Sequence, residues 1–176
     1  IEEALRHCSR RMIISPLEPK SAVLAENGEN VIQAPTPWTF QVDEIVDWLQ
    51  SVLEFGDEVI VLKDNSAPGE QAAYLLERLQ KKGVIFRSAR SAEELRKPEL
   101  KGKYRVLIAS DEDSFISNSI KQLGIAATIN QDIVLYTTSR VRNSISPDVL
   151  DLYNANARLT ASYYIDYDSE DVKRFV

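Results

Sequence analysis

Between residues 58 and 136 the chain switches repeatedly between two hydrophobic periods, and this alternation limits its fold more than any other feature. Glu58-Val-Ile-Val-Leu62 is an almost unbroken apolar run, as in a strand buried on both faces. Residues 69–82 then set Ala72, Leu75, Leu76 and Leu79 on one helical stripe. Gly83 follows, where a left-handed residue closes a helix. Val84-Ile85-Phe86 reads as the next strand, and Ser91 to Arg96 as a short helix stopped by Pro98. Tyr104 to Ala109 reads as a third strand. Ser114 to Leu123 reads as a helix capped by Gly124, with Ile125 to Ile129 as a fourth strand and Ile133 to Tyr136 as a fifth. Strands separated by helices predict βαβ units and a mainly parallel sheet. Right-handed crossovers then place helices on both faces. The expected class is α/β, in three layers.

The flanks are less regular. Gln41 to Leu53 has Val42, Ile45, Leu49, Val52 and Leu53 on one face, acids Asp43 and Glu44 in its first turn, and Gly56 as a stop. Residues 15–38 are loop-like, with Pro16, Pro19, Pro35, Pro37 and the turn pair Asn27-Gly28. Met12-Ile13-Ile14 and Val31-Ile32 are short strand candidates within and beside that segment. Ser146-Pro147-Asp148 reads as a helix start with Ser146 as its cap. Tyr163 to Tyr167 reads as a last strand. The expected division is an N-terminal extension over 1–40 and a domain over 41–176.

Single residues exclude whole classes of chemistry. With one cysteine, Cys8, and one histidine, His7, neither an internal disulfide nor a Cys/His zinc site can form. Cysteine usage suits a reducing, cytoplasmic setting. A hydrolase triad would need His7, which lies on a short charged segment and reads as a surface or packing residue. The six glycines are scattered and form no P-loop. No apolar run is long enough to span a bilayer, so no membrane role is expected. The net charge of -6 argues against RNA binding by bulk charge. Local basic groups remain candidates: Lys97, Lys101, Lys103 and Arg105, and the pair Arg140 and Arg142, the latter suited to phosphate.

Ligands in parallel sheets bind at the carboxyl ends of strands. Lys63, Asp64 and Asn65 lie at one such end, with Lys63 and Asn65 as further phosphate or RNA candidates. Asp111, Glu112 and Asp113 lie at another, and read either as a Mg²⁺ cluster or as a helix start with Asp113 capping. Trp38, Phe40 and Trp48 form an aromatic group near the start of the domain; Trp38 and Phe40 are interface candidates, and Trp48 reads as core edge.

Four segments in order resemble the C-terminal RecA-like lobe of superfamily 2, DEAD-box-like RNA helicases. Val59 to Asn65 with Lys82-Gly83-Val84 resembles the opening of that lobe. Glu93-Glu-Leu-Arg96 resembles its Gln-x-x-Arg segment, Val106 to Asp111 its strand ending in Thr-Asp, and Thr128-Ile-Asn-Gln-Asp132 its Val-Ile-Asn-Tyr-Asp strand. The resemblance runs from about Asp57 to Ile145 and implies a RecA-like fold.

It also implies lost catalysis. After Ser110-Asp111, active relatives carry Arg-Gly-x-Asp; here stand Phe115, Ile116, Ser117 and Asn118. Their His-Arg-x-Gly-Arg-x-Gly-Arg motif aligns with Thr138 to Ile145, retaining Arg142 and placing Ile145 where an arginine finger would act. Such a finger contributes about 10³–10⁵ in rate. Phe115 and Ile116 are expected either to fill the lost ATP pocket or to meet a partner. No cofactor or metal is expected. The general character resembles the helicase-C-like domain of Yb-type Tudor-domain piRNA factors. That implies a self-associating, homodimeric scaffold in a cytoplasmic RNA-silencing body. The alternatives are the second lobe of a working ATP-dependent RNA helicase, or an RNA-binding lobe.

Overall fold

The central strands of the sheet form where the apolar runs beginning at Glu58, Tyr104 and Ile133 predict them. The computed structural model describes residues 13–15, 31–33, 36–96, 102–129, 132–141, 145 and 147–161. Two short strands, β1 (Ile13–Ser15) and β2 (Val31–Gln33), pair in parallel. The other elements are α1 (Trp38–Val52), β3 (Asp57–Leu62), α2 (Glu70–Lys81), β4 (Phe86–Ala89), a 3-10 helix (Ala92–Arg96), β5 (Lys103–Ile108), α3 (Asp113–Ile129), β6 (Ile133–Thr137), α4 (Val149–Asn154) and β7 (Arg158–Leu159). The sheet order is β4-β3-β5-β6-β7, with every neighbouring pair parallel. The chain divides into two compact units, Thr39–Thr160 and Ile1–Trp38 with Ala161–Val176.

Alternation along each strand makes the layers. Ile60, Leu62, Val106, Ile133 and Leu135 pack with Ile116, Ile120 and Leu123 of α3 and with Leu95 of the 3-10 helix. On the other face Leu107 and Tyr136 meet Val42 and Ile45 of α1 and Ala72 and Leu75 of α2. Trp48 of α1 meets Tyr136 edge-on, with ring centroids 5.5 Å apart. Polar contacts tie the two helices together: the Tyr74 hydroxyl donates to Asp43 Oδ1 at 3.0 Å, and Lys82 Nζ lies 2.6 Å from Asp47 Oδ1. The result is the three-layer α/β architecture of a RecA-like lobe. Its largest buried side chains, among them Ile45, Leu49, Ile60, Leu62 and Leu123, each contribute about 1.5–3 kcal/mol.

Four boundaries depart from the sequence reading, each for a local reason. Val84 is not strand: its N–H bonds Leu79 O and that of Gly83 bonds Gln80 O, closing α2 with Gly83 at φ +67°. The edge strand therefore starts at Phe86. Gly124 does not cap α3, which runs on to Ile129. Ile125 to Ile129 is helical, and the strand that follows is β6, at Ile133–Thr137. Of the segment likened to a helicase strand, Thr128 and Ile129 are thus helical. Finally, Asp148, not Ser146, caps α4, its Oδ1 accepting from Leu150 N at 2.8 Å. The strand expected over Tyr163 to Tyr167 lies outside the described residues.

Candidate functional site

The strand order reverses direction between β3 and β5: the chain steps outward from β3 to β4, then returns to β5 on the other side. In open α/β sheets this switch point opens a crevice at the carboxyl ends of the strands, where ligands bind. Here the two loops that would part are joined. The Ser110 hydroxyl donates to Asp64 Oδ2 at 2.5 Å. The other Asp64 oxygen accepts from the backbone N–H of Ser66 at 2.8 Å and from the Ser66 hydroxyl. These bonds, led by the one from Ser110, hold the Asp64 carboxyl below its ordinary range.

Asp111 closes the adjoining gap. Its Oδ2 accepts the backbone N–H of Ala72 at 3.2 Å, so its carboxylate lies on the first turn of α2. A helix amino terminus offers free N–H groups and positive potential, the usual seat of a bound phosphate. In this chain the anion is internal. Gly69, the cap residue, makes room for it: a Cβ there would run into the Asp111 carboxylate. Its φ of -72° suits any residue, so the glycine serves close approach rather than backbone freedom.

Arg140, just past the end of β6, locks the arrangement. Its Nη2 donates to Asp111 O at 2.8 Å and to Asp113 Oδ1 at 2.6 Å, and its Nη1 to Asp111 Oδ1 at 3.3 Å. Nη1 also reaches Gln71 Oε1 at 3.4 Å. Behind it, Gln41 Oε1 accepts from the N–H and hydroxyl of Ser139, at 3.2 and 2.7 Å. A cavity of about 50 Å³ remains below, walled by Val42, Leu75, Ile116, Tyr136 and Val141 among others. That is room for a few water molecules.

The sequence candidates thus separate. Ser110, Asp111 and Arg140 come together in one cluster, joined by Asp64. Lys63 and Asn65 flank it, exposed. Ile116 is only 5% exposed and belongs to the core, which corrects its candidacy as an interface residue. Phe115 and Ile145 pack half-buried against that core, and Asn118 is exposed on α3. Trp38 is half-buried and Phe40 exposed. Lys103 and Arg105 lie at the opposite, amino end of the sheet, paired with Glu54 at 3.1 Å and Asp57 at 3.2 Å. Arg142, Lys97 and Lys101 lie outside the described residues, as do His7 and Cys8. Among the described residues no group of acids, cysteines or histidines is arranged to hold a metal ion. Likewise no described helix is long and apolar enough to cross a membrane. Gly69, Gln71, Gln41 and Ser139 escaped sequence reading. Only Gly69, after Pro68 and before a helix, left a local signal. No protein-family model and no curated protein matches this chain.

Proposed function

We propose that this is a non-catalytic, helicase-like scaffold domain that associates with itself within an RNA-silencing protein of the piRNA pathway. One observation carries the non-catalytic part: the crevice where a nucleotide would enter is occupied by the protein's own charges. Asp111 takes the anion position on α2, and Arg140, the residue best suited to phosphate, is engaged by Asp111 and Asp113. A phosphate would have to displace a carboxylate from both.

Charge around the crevice supports the same reading. Among the described residues at and just beyond the strand ends stand Asp64, Glu70, Asp111, Glu112 and Asp113, with Lys63, Arg90 and Arg140. Five acids against three bases repel a polyanion rather than attract it. The motifs Val59 to Asn65, Glu93 to Arg96 and Val106 to Asp111 support the helicase-like part, while the RNA-silencing assignment, the cytoplasmic body and the homodimer rest on the general likeness to the helicase-C-like domain of Yb-type Tudor-domain piRNA factors.

Calorimetry with Mg-ATP, anisotropy with a single-stranded RNA at low salt, and light scattering test this together. The expected results are no heat of binding, no RNA affinity and a dimer mass. Mg-ATP binding would restore the reading of an active helicase lobe. RNA affinity that falls steeply with salt would favour an RNA-binding lobe instead.

A further inference from the structure

Among the described residues, two neighbouring helices on the layer opposite α1 and α2 leave large apolar side chains in solvent. Helix α4 buries none of its residues. Val149, Leu150 and Tyr153 are 76%, 67% and 81% exposed, and their spacing puts them on one stripe. Helix α3 passes beneath: a Cβ on Gly124 would lie 3.1 Å from Asp151 Cα, so the two helices are in backbone contact. Next to that contact Ile125 and Ile129, one turn apart, are 39% and 43% exposed.

We propose that this α3–α4 face is where a second copy of the chain docks, about a twofold axis. The proposal rests on the self-association reading and gives it a surface. Area is the first argument. Together the five side chains present on the order of 500 Å² to solvent, as much as the largest apolar patch of an ordinary monomer. Ringed by its polar neighbours, that is enough for the apolar core of an interface of about 800 Å² per partner.

Charge selects the occupant. Each copy carries a net charge of -6, so two copies repel over most of their surfaces. The carboxyl-end face, with its excess of acids, is the worst place for them to meet. The α3–α4 face is flanked by Lys121, on the same stripe of α3 as Ile125, and by Asp148 and Asp151 on α4. Having both signs at its rim, it complements itself, as a twofold contact requires. A lipid surface is a poor match: a membrane-lying helix needs a basic polar face, and α4 has two acids at its start and no base. Tyr153 is of the residue type that dominates interface energies.

Sedimentation equilibrium of the chain decides the matter. The expected result is a dimer that Leu150→Asp with Tyr153→Asp weakens at least tenfold, while the thermal melt stays in place. Ile125→Lys, on the longer and better anchored α3, should weaken it likewise and covers the case in which the α4 variant unfolds. Phe55→Ser removes a fully exposed aromatic just before β3, outside α3 and α4, and should leave the dimer intact. A dimer that survives both α3–α4 variants, or that Phe55→Ser breaks, overturns this surface while self-association stands. A wild-type chain that stays monomeric overturns both.

Discussion

At the scale of single residues, Asp111 is the pivot of the crevice, and its partner is a missing side chain. Gly69→Ala puts a methyl group into the carboxylate, which Ala72 N–H and Arg140 hold in place. Overpacking of this kind costs about 1–3 kcal/mol. Asp111→Ala removes the obstacle along with a helix-capping bond, at a cost of about 1 kcal/mol. In that background Gly69→Ala should cost nothing, or stabilise by about 0.4–1 kcal/mol, since its backbone suits alanine. Denaturant unfolding of the four proteins measures the coupling; additive costs would mean that Asp111 does not sit on α2. Asp64 offers a second measurement. Its folded value is depressed, first by Ser110 and then by Ser66. Its contribution to stability is thus fully present above the ordinary aspartate range and is lost as pH falls through the depressed value. Ser110→Ala should move the Asp64 midpoint upward in a carboxyl NMR titration. An unmoved midpoint would remove the bridge across the switch point.

At the scale of elements, two glycines with the same sequence signature do different work. Gly83 ends α2 at positive φ and was legible from its place after the apolar stripe. Gly124 follows a stripe too, but it is buried inside α3 and lets α4 approach. Nothing local separates the two cases, because Ile125 to Ile129 is a short apolar run that suits either strand or helix. The central strands β3 and β5 were legible because burial on both faces writes an unambiguous run. The edge strand β4 was displaced because closure of α2 takes Val84. The crevice was legible in part. Asp64, Asp111 and Arg140 stood out by type and by position after strands. That they neutralise one another was not legible, because Arg140 lies 29 residues from Asp111 and the Ala72 N–H lies 39 residues from it. Gly124→Ala tests the helix contact. Alanine is the better helix former by about 1 kcal/mol. Yet its Cβ would meet Asp151 Oδ1, Cα and O at 3.0–3.2 Å, two of them backbone atoms that cannot swing away. The variant should lose about 1 kcal/mol, and the amides of Leu152 and Ala155 on and beside α4 should exchange faster. A net gain in stability would mean that α4 is not seated on Gly124.

At the scale of the whole molecule, the two ends of the argument meet in the response to salt. A parallel sheet of this kind normally directs its function to the carboxyl ends of its strands, and here ion pairs close that face and acids outnumber bases among its described residues. Among the described residues, α3 and α4 leave Ile125, Ile129, Val149, Leu150 and Tyr153 exposed. Two copies of a chain with charge -6 that join through apolar contacts are held apart only by long-range repulsion. Between about 0.1 and 1 M salt the Debye length contracts from about 10 to 3 Å, which removes that repulsion and leaves apolar burial untouched. The dimer should therefore hold or tighten as salt is raised, by sedimentation equilibrium across that range. An interface built from ion pairs would loosen instead, and RNA held by the basic residues would be released steeply. Tightening with salt in the wild type, lost together with the dimer in the Leu150 and Tyr153 variant, would tie self-association to α3 and α4. Loosening would move the contact to a charged surface, and with it the function of the fold.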